Sequence, residues 1–258
     1  MEHNITNDVW QDKVDECLNN YQYTAAPRGL EVRERLAGQY TVPMPAFIDL
    51  VDRKVNVNFM FAEAAWIISG SNRLEDIVPH MKGYAAFSDD GIFLRGAYGP
   101  KVVDQLGYVV DAIEKDLDTR QAVMNIWRER PGVSKDIPCT TNMQFIVRDG
   151  QLNMITTMRS QDIVLGFTYD VFTFSMVAKA VQLLLRERGV NVILGTLTVT
   201  AGSMHIYSTY YEKGEQWLKS EDRDMDIHKA VAGVSSAQSY SHLIEMLKQG
   251  AERYGESL

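Results

Sequence analysis

The chain of 258 residues holds only two cysteines, Cys17 and Cys139. Two thiols cannot build a disulfide framework or a thiolate zinc site, so no metal is expected and a reducing, cytoplasmic compartment is the default. Positive charge is also short: 26 Lys and Arg against 34 Asp and Glu leave a net charge of −8. That balance disfavours a nucleic-acid coat or a membrane-surface protein. It leaves room for one small anionic substrate, which a few local arginines can hold. No apolar run approaches the length of a membrane span. The first residues, Met1-Glu2-His3-Asn4, have neither the basic nor the apolar segment of a signal peptide. Internal repeats, low-complexity tracts and a convincing linker are missing too.

What is present suits a globular chain able to bury a real core, with 45% hydrophobic and 23% charged residues. A single domain over residues 1–258, mixed in class (α/β or α+β), is expected. Val9, Trp10, Val14, Cys17, Leu18 and Tyr21 fall at helical spacing and predict a helix over 6–21, with Cys17 a packed core thiol. Residues 22–35 read as an irregular loop with cationic reach through Arg28, Arg33 and Arg35. A strongly apolar helix is predicted from Asn56 to Ser69, ended by Gly70, with Glu63 inside it. Alone, Glu63 reads as a helix-edge carboxylate facing water. Residues 71–100 read as loops, 101–117 as a helix and 122–127 as a strand. Further on, a helix over 172–188 ends at Gly189, a strand follows over 190–200, and a helix over 236–254 closes the chain.

The densest chemistry lies between Ile137 and Asp170. Cys139 opens two alternating runs that meet at Asp149-Gly150, a strong hairpin dipeptide. Arg159-Ser160-Gln161-Asp162, Leu165-Gly166 and Asp170 follow. One hairpin thus delivers a nucleophile, a bidentate anion binder and two carboxylates. Each residue has a plainer reading as well. A lone cysteine at a strand start is more often a small buried hydrophobe. Arg159 with Asp162 makes a strand-end ion pair, and Asp170 serves as N-cap of a helix starting near Val171.

Pro138-Cys139, a strand with Gln144-Phe145, Arg159-Ser160-x-Asp162 and Leu165-Gly166 at this spacing resemble the thymidylate synthase superfamily. Within it they look closest to the phage-type deoxycytidylate hydroxymethylases. The resemblance covers roughly residues 55–215. It implies a mixed sheet flanked by helices, with two such sheets back to back in a symmetric homodimer that supplies arginine across the interface.

It also implies roles. Cys139 would attack carbon 6 of a pyrimidine, so that carbon 5 takes a one-carbon unit from 5,10-methylenetetrahydrofolate, with thiolate character supplied by cations such as Arg159. Thr140 follows the cysteine where the synthases carry histidine. Arg159 and Ser160 would hold the nucleotide phosphate, helped by Arg120 from the partner and Arg28 from a mobile loop; Gln121 departs from the family's second arginine. Asp170 stands where the synthases place asparagine, which implies cytosine over uracil. His205 and Tyr207, in Gly202-x-x-His205-x-Tyr207-Ser208, would bond the sugar, Glu63 would order water near carbon 5, and Asp162 would bind the pterin. Tyr98 would join the hydrogen bonds around the cysteine.

The implied enzyme is a dCMP 5-hydroxymethyltransferase. Bulky shielding is thinned in Tyr84-Ala85-Ala86-Phe87, and the tail Gly255-Glu256-Ser257-Leu258 does not resemble the synthase closing tail. Alternatives left open are a CMP 5-hydroxymethylase of nucleoside-antibiotic biosynthesis, a reductive dCMP 5-methylase, and a non-catalytic nucleotide- or RNA-binding homologue. Nucleic acid and membrane are not expected partners.

Overall fold

Asn4 starts the first helix: its side chain accepts from the Thr6 N–H at 3.1 Å, and α1 (Ile5–Leu18) buries Trp10, Val14, Cys17 and Leu18. The computed structural model describes residues 3–128, 132–222 and 226–255, so the tail residues 256–258 lie outside the described residues. Burial pushes the Cys17 thiol up to about 12, which leaves it inert near neutral pH.

The segment read as an irregular loop holds β1 (Tyr23–Ala25) and the start of β2 (Val32–Pro43). The strand was obscured by Arg33-Glu34-Arg35, whose charges look like loop. Those charges are satisfied locally: Arg33 Nη1 donates to Leu18 O at 2.8 Å, and Arg35 approaches Glu16 at 3.7 Å.

Asn56 caps α2 (Val57–Ile68) by accepting from the Phe59 N–H at 3.0 Å. The stretch 71–100 is not wholly loop: it carries α3 (Leu74–Ile77) and a 3₁₀ turn over Lys82–Phe87. Next come α4 (Gly99–Lys115), β3 (Val123–Asn125), β4 (Thr140–Arg148) and β5 (Gln151–Asp162). Asp149 and Gly150 both take positive φ, 50° and 72°, as a two-residue hairpin turn requires.

Then follow α5 (Gly166–Glu187), β6 (Ile193–Tyr207), α6 (Tyr211–Trp217), α7 (Asp226–Ser235) and α8 (Tyr240–Gly255). Two of these differ usefully from expectation. α5 begins six residues before 172, because Phe167, Thr168 and Tyr169 are buried and their packing overrides weak helix propensity. β6 runs on to Tyr207, well past the expected end at 200, because it pairs with β2 and β5 over that length.

Among the described residues the strands form one sheet in the order β1-β2-β6-β5-β4-β3, antiparallel except for β5 with β6. α5 is the crossover between the parallel pair, lying along both strands, while α1 lies along β2 and β6. The sheet is therefore mixed and flanked by helices, as expected. One face is dry: Met143, Phe145, Leu152, Met154, Leu197 and Val199 share a core with Phe172, Met176 and Val177 of α5. The alternate positions Gln144, Ile146, Ile155, Thr157, Thr198 and Thr200 stay half-exposed. No helix among the described residues is long and apolar enough to cross a membrane.

Candidate active site

The segment that carries Cys139 is held on both sides. Arg159, one strand away, donates from Nε to Pro138 O at 3.1 Å and from Nη2 to Ile137 O at 3.0 Å. Its own N–H donates to Cys139 O at 2.8 Å. On the other side the Thr140 N–H donates to Tyr98 Oη at 3.2 Å, with Tyr98 set at the start of α4 by Gly99-Pro100. Arg159 does not form the alternative ion pair with Asp162 among the described residues; its guanidinium turns back to the cysteine segment instead.

Asp170 lies inside the first turns of α5 rather than capping a helix, so its side chain is released from the backbone role. It is half-buried, and Oδ2 accepts from Gln161 Nε2 at 3.3 Å. Gly166, one turn earlier, leaves the room: a Cβ there would stand 3.3 Å from Asp170 Oδ2. Burial, then the Glu63 and Asp162 carboxylates, push the Asp170 carboxyl well above the usual carboxylate range; the Gln161 bond opposes them. The carboxyl therefore holds its proton more tightly than an ordinary one, and in its protonated form it offers one donor and one acceptor.

Glu63 does not face bulk water. Tyr84 Oη donates to its Oε1 at 2.5 Å and Thr173 Oγ1 to its Oε2 at 3.3 Å, and burial raises its carboxyl to about 6. Asp170, when ionised, also acts on Cys139, Tyr98, Tyr84 and Tyr40 and raises each of them, which ties the cluster together electrostatically.

Burial raises the Cys139 thiol above its ordinary value. Arg159 and Arg28 pull it down, while Asp170 and Asp136 push it up. The expected cations are therefore at hand, but desolvation outweighs them and the thiol of the isolated chain is protonated at neutral pH. Arg28 sits in a left-handed turn with φ 54°. Arg120 is exposed in the turn before β3, and its side chain makes no hydrogen bond or ion pair among the described residues.

The parallel register brings the remaining candidates together. Asp162 lies opposite His205, and Ser160 opposite Ser203. Asp162 Oδ1 accepts from the Val164 N–H at 2.8 Å, and burial raises this carboxyl too. The His205 and Tyr207 rings meet edge to face at 5.1 Å between centroids. His205 is buried, which lowers its pKa against the opposing pull of Asp162.

Sequence reasoning passed over Gln161, Tyr40, Tyr84 and Thr173. Gln161 was only the variable position between Ser160 and Asp162, and Tyr84 one aromatic in an apparent loop. No local signal marked Gln161: alternation along β5 buries 152, 154, 156 and 158, and the buried phase shifts before 161.

A six-stranded mixed sheet flanked by helices, with a cysteine just before β4 held by a strand-end arginine and within electrostatic reach of Asp170, is the arrangement of a thymidylate synthase-like α/β protein. The profile of the thymidylate synthase family matches residues 9–242, and the chain belongs to that family. It is 30% identical over 208 residues to the deoxyuridylate hydroxymethyltransferase of Bacillus phage SP01, which spans 72% of this chain and 53% of that protein. It is 29% identical over 198 residues to the protein of that name from Delftia phage PhiW-14, spanning 70% and 54%. The chain thus spans about half the length of these curated relatives. The thermostable thymidylate synthase A of Bacillus subtilis shares the fold, with a TM-score of 0.68 at 18% identity, over 84% of this chain and 85% of that one.

Proposed function

We propose that this chain is a pyrimidine nucleotide 5-hydroxymethyltransferase that converts dCMP, 5,10-methylenetetrahydrofolate and water to 5-hydroxymethyl-dCMP and tetrahydrofolate. The observation that carries the reading is Asp170, a carboxyl bonded by Gln161, shifted by burial toward its protonated form and within electrostatic reach of Cys139. A neutral carboxyl accepts from the exocyclic amine of cytosine and donates to its ring nitrogen. In this reading Cys139 Sγ bonds to carbon 6 after giving up its proton, with Arg159 and Arg28 stabilising the thiolate. Proton donation by Asp170 to the ring nitrogen makes that addition easier and leaves carbon 5 nucleophilic.

The folate supplies the one-carbon unit when bound. Asp162, fixed by the Val164 N–H and exposed enough to meet a ligand, would hold the pterin amine. Carbon 5, once bonded to that unit, would lose its proton as the carbon–nitrogen bond to tetrahydrofolate breaks, and water held by Glu63 would add to the resulting exocyclic methylene. Cys139 then leaves carbon 6, and no electrons pass to or from the folate. Arg159 and Ser160 would bind phosphate, and His205 and Tyr207 the sugar. A symmetric homodimer, formed through the half-exposed sheet face, would bring in Arg120 of the second copy.

The names of the phage relatives favour a second reading, dUMP as the base-bearing substrate. A neutral carboxyl also pairs with uracil by reversing its donor and acceptor. The test is competition between dCMP, dUMP and CMP in deuterium-labelled water with methylenetetrahydrofolate, read by mass spectrometry. Deuterium at carbon 5 and a hydroxymethyl product, with dCMP preferred, is the expected result. Preference for dUMP or CMP replaces the base or sugar assignment, and a methyl product with dihydrofolate replaces the water step. No exchange with any of the three overturns the enzyme reading in favour of a binding protein.

A further inference from the structure

Gln161 is 1% exposed, and its carboxamide is spent entirely inside the protein. Nε2 lies 2.9 Å from Tyr40 Oη and 3.3 Å from Asp170 Oδ2, while Oε1 is buried with no hydrogen-bond partner. Tyr40 is 4% exposed and stacks against Phe167 of α5 with centroids 4.3 Å apart, so the far end of this bridge is fixed. A buried amide that leaves its own carbonyl unpaired is an expensive way to fill space, and an apolar side chain would fill it at less cost. The bridge ends on Asp170, the residue proposed above to face the base.

We infer that Gln161 is a specificity-determining positioning residue: by donating to Asp170 Oδ2 it fixes which carboxyl oxygen accepts and which carries the proton offered to the base. The inference rests on the reading of Asp170 as the base-facing residue. A lone neutral carboxyl is a poor discriminator. With its proton on one oxygen it matches cytosine, an amine followed by a bare ring nitrogen. With the proton on the other it matches uracil, a carbonyl followed by a ring N–H. An amide cannot make that exchange, but a carboxyl can, simply by moving one proton. A donor aimed at Oδ2 biases this choice, because the carbonyl oxygen of a protonated carboxyl accepts better than its hydroxyl oxygen and the Gln161 N–H so favours the proton on the other oxygen. Turning the amide over would demand the proton on Oδ2 and leave Nε2 without an acceptor. Amide orientation and carboxyl proton therefore move together, and Tyr40 holds the amide.

The test is a one-pot competition between dCMP and dUMP for wild type, Gln161→Met, Tyr40→Phe and Asp170→Asn, read as the ratio of hydroxymethylated products. The ratio does not depend on the fraction of folded enzyme, so a purely structural role for Gln161 leaves it unmoved. Gln161→Met keeps the volume and loses the donor, and its preference for the favoured base should shrink about tenfold or more, the worth of one hydrogen bond to a polar active-site group. Tyr40→Phe frees the far end of the bridge and should shrink it in the same direction by less. Asp170→Asn should move preference toward dUMP. If Asp170→Asn shifts the ratio while Gln161→Met and Tyr40→Phe leave it within about twofold of wild type, this inference is overturned and the reading of Asp170 stands. If Asp170→Asn shifts nothing, both fall. Should Gln161→Met fail to fold, Tyr40→Phe alone decides.

Discussion

Tyr84 Oη lies 2.5 Å from Glu63 Oε1, a donor from an apparent loop meeting a carboxylate on a core helix. The pair has opposite effects on its two members. Burial lifts Glu63 to about 6, and the Tyr84 bond holds it below where burial alone would put it. In Tyr84→Phe the carboxyl loses that bond to its ionised form, so its pKa rises above about 6. If Glu63 must be ionised to hold the attacking water, the acidic limb of the kcat/KM profile moves to higher pH by about one unit. An unmoved limb would separate Glu63 from the water step.

The same carboxyl is a stability element with an unusual sign. Its folded pKa, about 6, lies above the ordinary 4.5. Its contribution is therefore complete below pH 4.5, is lost as pH rises through about 6, and is a penalty above. Glu63→Gln keeps acceptor and shape without the charge. It is expected to be more stable than wild type at pH 8 by about 2 kcal/mol, with the advantage fading toward pH 4.5. Urea melts across that range measure it, and an advantage independent of pH contradicts the assignment.

How much of this was legible in the sequence depends on range. The hairpin at Asp149-Gly150 was, because turn dipeptide and alternation are local. So was the meeting of Arg159 with the Cys139 segment, because the hairpin sets them on neighbouring strands. The β2 strand was not: in its Arg33-Glu34-Arg35 run the two arginines are met by α1 and Glu34 by Ser203 of β6, partners that no local pattern reveals. The burial that raises Asp170 and Cys139 above their ordinary values was equally invisible, since it comes from packing between elements far apart in the chain. Cations near a thiol predict a thiolate, but the packing around it decides.

Cys139→Ser should abolish turnover by ~10⁴-fold or more, as loss of a nucleophile does when the remaining machinery acts through it. Deuterium exchange at carbon 5 should vanish with it, because exchange requires addition at carbon 6. Nucleotide binding by calorimetry should survive within a few-fold. A serine enzyme that still exchanges would remove Cys139 from the mechanism and return it to the role of a packed thiol.

Arg159 makes two claims on the cysteine segment that one pair of variants can separate. Its charge lowers the Cys139 pKa against burial, and its Nε and Nη2 tether Pro138 and Ile137. Arg159→Met removes both, so the pH midpoint for alkylation of Cys139 rises further above the ordinary thiol value. Arg159→Lys returns the charge without the two-point tether, since an ammonium lacks the guanidinium fork. Its midpoint should fall back toward wild type while turnover stays low. Mass spectrometry of iodoacetamide-treated protein resolves the site, because Cys17 is buried with its thiol raised to about 12 and serves as an unreactive internal control. A methionine variant that alkylates with the wild-type midpoint would mean that Arg159 acts on Cys139 through the tether alone.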